Sequence, residues 1–529
     1  IFFRMETLMK YKTKEIKSLC FILSALLWFA VLPGRAERII TREVDWRAPA
    51  GGRIRQVRFR IPEEPAAAEE QAKALSQPTG GNVIDSPPID GFVPWIALTT
   101  TNRRLDEGEV DAVPSTSVVG QFTTSNWQKD FAIGIFDTGA SAHVLSYAAA
   151  VDLRLNNSAY LTDNTITIAG VTGSVDAYVS YPLGLFMGGL NLLEPNQTPD
   201  REAKLSSVNG MVGEYNVSVL VGQYPGQNPD LVTAVGTPMS VFWTTLIQND
   251  LPIMAVHKGE VYTGPALSFY SAEEESAPSY RNRVPLELRP LGAIAVQYIP
   301  YDIDDLFSFD FNPSSPSVLI GTGSQSLFFV HSVDLTEGAR SAIDRSRFML
   351  DTGAQITVIG DRVAARLGLD PDGWEFQVPI QGVTGETIDA PGYYLDSLSI
   401  PAIGEWLEFR NVPVVWLEIS SPEGGKLDGV IGMNLFTEYN LILRGGGLFL
   451  GEDPSLEFSR ITLPLKGDIA PEGGDGKVDM ADLAAFSSSW LSQSGQSGWN
   501  SAADLAGSGQ VDLADLNLLA EQWLTAALP

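Results

Sequence analysis

The chain has 529 residues, with 35 Lys+Arg against 64 Asp+Glu and a formal charge of −29. That acidity argues against nucleic acid or an anionic membrane surface as the main partner. A single cysteine excludes an intramolecular disulfide, an Fe–S cluster and a cysteine zinc site, and the three scattered histidines (His143, His257, His331) form no HExxH zinc-protease motif. At roughly 150 residues per domain the length predicts two to four domains. The 50 Gly and 33 Pro in a chain that is 44% hydrophobic predict a turn-rich, mainly β fold.

At the N-terminus, Lys10, Lys12, Lys14 and Lys17 precede an apolar run from Leu19 to Leu32, followed by Pro33-Gly34-Arg35-Ala36. This pattern predicts a secretory signal over residues 1–36, cut near Ala36. The run is short for a spanning helix, so no permanent membrane span is expected, and the mature protein is expected to be secreted or at the cell surface. Removal of the signal leaves a net charge of −33 and takes away Cys20. Residues 37–91 read as a basic extension and linker, with seven Arg against Glu37, Glu43 and Asp45 in 37–60 and a loosely ordered stretch from Pro62 to Asp90. The basic part reads either as a pro-segment lying over an acidic cleft or, because Val57, Phe59 and Ile61 alternate, as a permanent strand.

From about Phe92 to Leu465 short apolar strands are separated by Gly, Pro, Asn and Asp turns, with one short helical candidate at Val363–Gly368 (VAARLG). This region contains an internal repeat. Residues 131–140 (FAIGIFDTGA) recur as 347–354 (RFMLDTGA); Gly170-Val171-Thr172-Gly173 recurs as Gly382-Val383-Thr384-Gly385; Gly210–Gly213 recurs as Gly429–Gly432. Three landmarks in one order indicate a duplicated lobe, with the first lobe over 92–285 and the second over 286–466.

Two carboxylates, Asp137 and Asp351, each end an apolar strand and each precede Thr-Gly. Held close, they cannot both ionise at low cost, so they share one proton and act as acid and base towards a water between them. Gly139 and Gly353 allow close backbone approach, and buried Thr138 and Thr352 can hydrogen-bond across the pseudo-dyad.

On Asp137-Thr138-Gly139-Ala140, Asp351-Thr352-Gly353-Ala354 and the elements Met211-Val212-Gly213 and Val430-Ile431-Gly432, residues 92–465 resemble a bilobal aspartic protease of the pepsin-like and retropepsin-like families. The resemblance implies two pseudo-symmetric lobes with the cleft between them, a dyad of Asp137 and Asp351 acting on a peptide or protein substrate, and no catalytic cofactor. It also implies that the two apolar-apolar-Gly elements pack behind the catalytic loops. Both copies carry Ala after Asp-Thr-Gly, as retroviral-type enzymes do, where pepsins have Ser. The lost hydroxyl donor predicts a less acidic working pH. The pepsin flap motif is absent, and Gly170–Gly173 and Gly382–Gly385 look like one glycine-rich hairpin tip per lobe, similar to the paired flaps of a retroviral dimer. His143 is expected to pack beside the first loop.

Residues 467–529 repeat with a period of 33: Gly476, Val478, Asp479, Asp482-Leu483 and Trp490-Leu491 return as Gly509, Val511, Asp512, Asp515-Leu516 and Trp523-Leu524. This tail resembles a dockerin, a small α-helical domain of two calcium loop–helix units. The resemblance implies Ca2+ ligands at Asp504, Ser508, Gln510 (carbonyl), Asp512 and Asp515, and at Asp468, Asp475, Lys477 (carbonyl), Asp479 and Asp482 if extra residues bulge between Ile469 and Gly474. It also implies a cohesin-like partner. The alternative to a secreted endopeptidase is a catalytically silent surface binding or scaffold protein on the same fold.

Overall fold

The computed structural model describes residues 45–47, 53–57, 83–102, 116–170, 173–181, 183–194, 202–223, 231–271, 277–290, 295–299, 318–319, 326–343, 346–382, 387–419, 426–445, 453–461, 467–470 and 478–521. The signal segment 1–36, Val171, Thr172, Val383, Thr384, Gly385, Asp475 and Lys477 lie outside them. The protein is mainly β, with a few short helices. Among the described residues one nine-stranded sheet is built from residues between Trp95 and Gly236, and a second, of fifteen strands, joins the hairpin Trp243–His257/Glu260–Ser271 to strands between Asn282 and Arg460. That hairpin is contributed by the first half of the chain, yet Thr245–Ile247 pairs with Leu441–Leu443 of the second half. One apolar cluster runs through both halves, from Leu98, Phe136 and Val235 to Phe348, Leu350 and Ile431. Burying each of these large side chains is worth on the order of 1.5–3 kcal/mol. Among the described residues no helix is long and apolar enough to cross a membrane.

The strands that end at Asp137 and lead into Asp351 form for local reasons. Ala132–Asp137 alternates buried and half-buried positions along its length, and Phe348–Leu350 is a fully buried apolar run, as expected for strands covered on both faces. Beyond the second loop, Asp361–Leu367 is the helix expected from VAARLG. It buries Val363, Ala364 and Leu367 on one face and ends at Gly368 in the left-handed conformation.

The stretch up to Asp90 differs from the linker read in the sequence. Val83–Asp85 is a strand, parallel to Glu408–Arg410 of the second lobe, with Ile84 in the main core. The chain then passes the second catalytic loop, where the Gly91 N–H donates to Gln355 O (2.7 Å), before Pro94 O accepts the Phe136 N–H (2.9 Å) in the first. A parallel pairing to residues more than three hundred positions away leaves no local signature, which is why composition alone reads it as linker. Asp45–Arg47, Arg53–Val57, Ala295–Ile299 and Val318–Leu319 form a separate four-stranded sheet, so the basic segment is strand-forming over part of its length.

Candidate active site

The sequence places Asp137 and Asp351 at the ends of their strands, and the fold brings them face to face. Each carboxyl lies close enough to the other to alter its proton affinity. In each loop the carboxylate is also held from behind by its own backbone: Gly139 N–H (2.8 Å) and Ala140 N–H (3.1 Å) donate to Asp137 Oδ1, and Gly353 N–H (2.8 Å) and Ala354 N–H (3.2 Å) to Asp351 Oδ1. The glycines are required by the approach of the other lobe. A Cβ on Gly139 would lie 2.3 Å from Asp351 Oδ2, and one on Gly353 would lie 2.7 Å from Asp137 Cγ.

The two threonines tie the loops together. Thr138 Oγ1 donates to Leu350 O (2.8 Å) and accepts the Thr352 N–H (3.0 Å); Thr352 Oγ1 donates to Phe136 O (2.5 Å) and accepts the Thr138 N–H (3.1 Å). Both threonines are buried. All four bonds cross between lobes and have a near two-fold relation, so neither loop can shift against the other without breaking all four.

Electrostatics follow from burial and proximity. Burial pushes the Asp137 carboxyl up from its ordinary value, against the pull of its hydrogen bonds from Asp351, Gly139 and Ala140. Asp351 is held well above the carboxylate range, first by burial and then by the negative charge of Asp137 and the bond to it. Such a pair binds one proton tightly between them. The active window opens as the second proton leaves and closes when the shared one does, so both limbs of a pH–rate bell should lie above the ordinary carboxylate range. Replacing Ala140 and Ala354 together by Ser supplies an extra donor to each carboxylate and should move the bell to lower pH. Measuring kcat/KM across pH 3–8 for the double variant checks this, and an unmoved or upward-moved bell counts against it.

The strand behind the first loop is not the one the sequence repeat selects. In the second lobe Gly429–Ile431 runs parallel to Phe348–Leu350, as expected. In the first lobe the parallel partner of Ile135–Asp137 is Ala234–Gly236, while Val212–Val217 pairs antiparallel with Leu183–Gly189 further out. Met211-Val212-Gly213 is therefore not the backing element. Both candidates fit the apolar-apolar-Gly pattern because both glycines lie against a carbonyl: a Cβ on Gly213 would be 2.2 Å from Leu185 O, and one on Gly236 2.4 Å from Ala140 O. The element after each glycine tells them apart. Gly236 leads into the buried helix Thr237–Phe242 and Gly432 into the 3-10 helix Met433–Phe436, whereas Gly213 continues as strand. The docking is equivalent, with Thr237 N–H on Ala140 O and Met433 N–H on Ala354 O, both 2.8 Å.

Of the repeated GVTG motifs, the structure describes Gly170, Gly173 and Gly382. Gly170 and Gly173 face each other across the turn of Leu161–Gly170 and Gly173–Ser180, and Gly382 comes directly after Gln381, where Phe376–Gln381 turns towards Thr387–Ile400. In the tail, the repeat is visible in the hydrogen bonds. Asp482 accepts from Ile469, Ala470 and Asp479 N–H, and Asp515 from Ala506 and Asp512 N–H. Ala470 and Ala506 thus occupy equivalent places, so Asp468 aligns with Asp504 and three extra residues fall in the first loop. Asp504 accepts from Ser508 and Gly509 N–H, Asp479 caps its helix through Ala481 N–H, and Asp512 does the same through Ala514 N–H. Ser508 Oγ donates to Gln510 O. The carboxylates are turned to backbone donors, and no group of three or more acidic or imidazole side chains among the described residues is gathered as a metal site.

A model of the aspartyl protease family matches residues 342–435, which hold the second catalytic loop, its helix and its backing strand. A retropepsin-like aspartic protease from Rickettsia conorii is similar at 19% identity over 25% of this chain and 82% of that one, with a TM-score of 0.17. An aspartic proteinase from Irpex lacteus is similar at 10% identity over 70% of this chain and 97% of that one, with a TM-score of 0.33. No curated protein matches the chain. The family match supports an aspartyl protease domain around Asp351-Thr352-Gly353-Ala354.

Proposed function

We propose that the protein is a secreted aspartic endopeptidase whose dyad is Asp137 and Asp351. The observation that carries this reading is the pair of carboxyls brought together at the two loops and locked by four cross-lobe threonine bonds. With one proton on the pair, the ionised carboxylate takes a proton from a water lying between them as its oxygen attacks the peptide carbonyl. The protonated carboxyl gives its proton to the carbonyl oxygen. Collapse of the tetrahedral species returns that proton and expels the amine, which leaves protonated by the acid formed in the first step. Gly170–Gly173 and Gly382–Gly385 serve in this reading as the hairpin tips that cover the substrate. The test is cleavage of a denatured protein across pH 3–7 with and without a dyad-directed peptide inhibitor. Inhibitable cleavage supports the enzyme, and binding without cleavage supports the silent scaffold.

The tail, in the same reading, is a calcium-binding tether for a cohesin-like partner. Its donor set suits a hard cation, being all oxygen: Asp504, Ser508, Gln510 carbonyl, Asp512 and Asp515 in one loop, and Asp468, Asp475, Lys477 carbonyl, Asp479 and Asp482 in the other. Calcium would supply the charge that lets these carboxylates converge. The full chain is expected to gain thermal stability in a transition assigned to the tail on adding Ca2+ and to lose it with chelator. Identical calorimetric melting in both conditions rejects metal-coupled folding.

A further inference from the structure

We infer that His143 is a positioning residue for the first catalytic loop, acting through the N–H of Gly236. His143 stands six residues after Asp137, and its Nδ1 accepts the Gly236 N–H at 3.2 Å. Gly236 is the residue paired with Asp137 across the parallel strands, and it abuts the loop so closely that a Cβ there would be 2.4 Å from Ala140 O and 2.6 Å from Ala142 O. The next residue completes the clasp, since Thr237 Oγ1 donates to Thr138 O at 2.8 Å. The second lobe has the same bond from the equivalent place: Thr357, six residues after Asp351, accepts the Gly432 N–H on its Oγ1 at 3.2 Å. Thr357 in turn donates to Asn434 Oδ1 (2.8 Å). The two lobes therefore fix their catalytic loops by one device with different chemistry.

The difference matters in acid. Thr357 is an acceptor at every pH, whereas His143 is one only while its ring is neutral. Protonation would set an Nδ1–H against the Gly236 N–H, donor to donor. The ring is buried and its Nε2 finds no hydrogen-bond partner among the described residues, and burial lowers its pKa to about 4. No ionisable side chain sits on Val144–Leu145, Leu220–Gly222, Ala234–Gly236 or Thr237–Phe242, which adjoin it. On the elements beyond, Asp152 is paired with Lys258 and Asp176 is exposed; the acids of the loop itself are Asp137 and, from the other lobe, Asp351. Above about pH 5 the clasp is intact; as pH falls through about 4 it opens on the first lobe alone.

This rests on the peptidase reading, and the test separates the two. His143→Leu removes the acceptor, while His143→Asn places an amide oxygen near Nδ1 that no accessible pH protonates. At pH 6, His143→Leu should lose at least about tenfold in kcat with KM within about twofold, and His143→Asn should recover to within about threefold of wild type. Equal losses in the two variants, or no loss in His143→Leu, overturn the inference. A measurement on the unaltered protein needs no catalysis. Amide exchange at Gly236, corrected for its intrinsic pH dependence, should lose protection between pH 5 and 3.5 while Gly432 keeps it. If both glycines hold or lose protection together, the inference fails even where no peptidase activity is found.

Discussion

Asp137→Asn and Asp351→Asn should each reduce turnover by at least about 10³-fold, with the double variant little worse than either single one. Each carboxyl has a different task in the same step, and an amide can neither accept the water's proton nor deliver one to the carbonyl oxygen. Groups that act as a unit lose nearly everything at the first removal. Binding of a substrate-like peptide should survive, because the amide keeps the size and hydrogen-bonding reach of the acid. Stability provides the control. Both folded-state values are raised, so the wild-type fold loses stability as pH rises from the ordinary carboxylate range through those raised values. In each single variant the substituted position no longer titrates and the remaining buried carboxyl loses the charge beside it, so their melting temperatures should match wild type near pH 3 and exceed it at pH 7. Inactive proteins that melt higher than wild type at neutral pH would show that the loss is chemical. A single variant with normal turnover would remove the dyad from the mechanism and favour the binding-protein reading.

How much of this was legible in the sequence varied with the range of the interaction. Asp137-Thr138-Gly139 and Asp351-Thr352-Gly353 were readable because a tight turn of carboxylate, hydroxyl and glycine is written in consecutive residues. The helix Asp361–Leu367 was readable from its apolar spacing, and the tail's register from the 33-residue repeat that returns Gly476, Val478, Asp479 and Asp482 as Gly509, Val511, Asp512 and Asp515. The backing strand of the first lobe was not. Gly213 and Gly236 satisfy the same steric rule, and only the distant partner, Leu185 in one case and the catalytic loop in the other, separates them. The offset also misled, since Gly236 lies 99 residues after Asp137 and Gly432 only 81 after Asp351. Val83–Asp85 was missed for the same reason: a three-residue parallel strand has no period, and its stability comes from Ile84 entering a core built elsewhere. His143 was expected to be packing. It is that, and its acceptor bond shows only when Gly236 is known to be its neighbour.

Thr352→Val should lower stability by roughly 2–6 kcal/mol and remove most activity, while Thr352→Ser should cost less than about 1 kcal/mol. Valine fills the same volume, so no cavity forms and packing in the buried site is preserved. What changes is the loss of one hydroxyl, which leaves Phe136 O without its donor and the Thr138 N–H without its acceptor. Both orphans are backbone groups in a buried site, each costing about 1–3 kcal/mol with no water to replace the partner. Thr138→Val should cost a similar amount by orphaning Leu350 O and the Thr352 N–H. The four bonds divide cleanly, two to each hydroxyl, so a simple sum is the expectation if they act only locally. If instead the bracket holds the lobes in register, the first substitution already frees both loops and the second adds less than its share. Denaturant unfolding of the two singles and the double measures that coupling, and kcat measured alongside tells whether it reaches the carboxylates. A Val variant as stable and active as Ser would mean that the threonines fill space and that another contact holds Asp137 against Asp351.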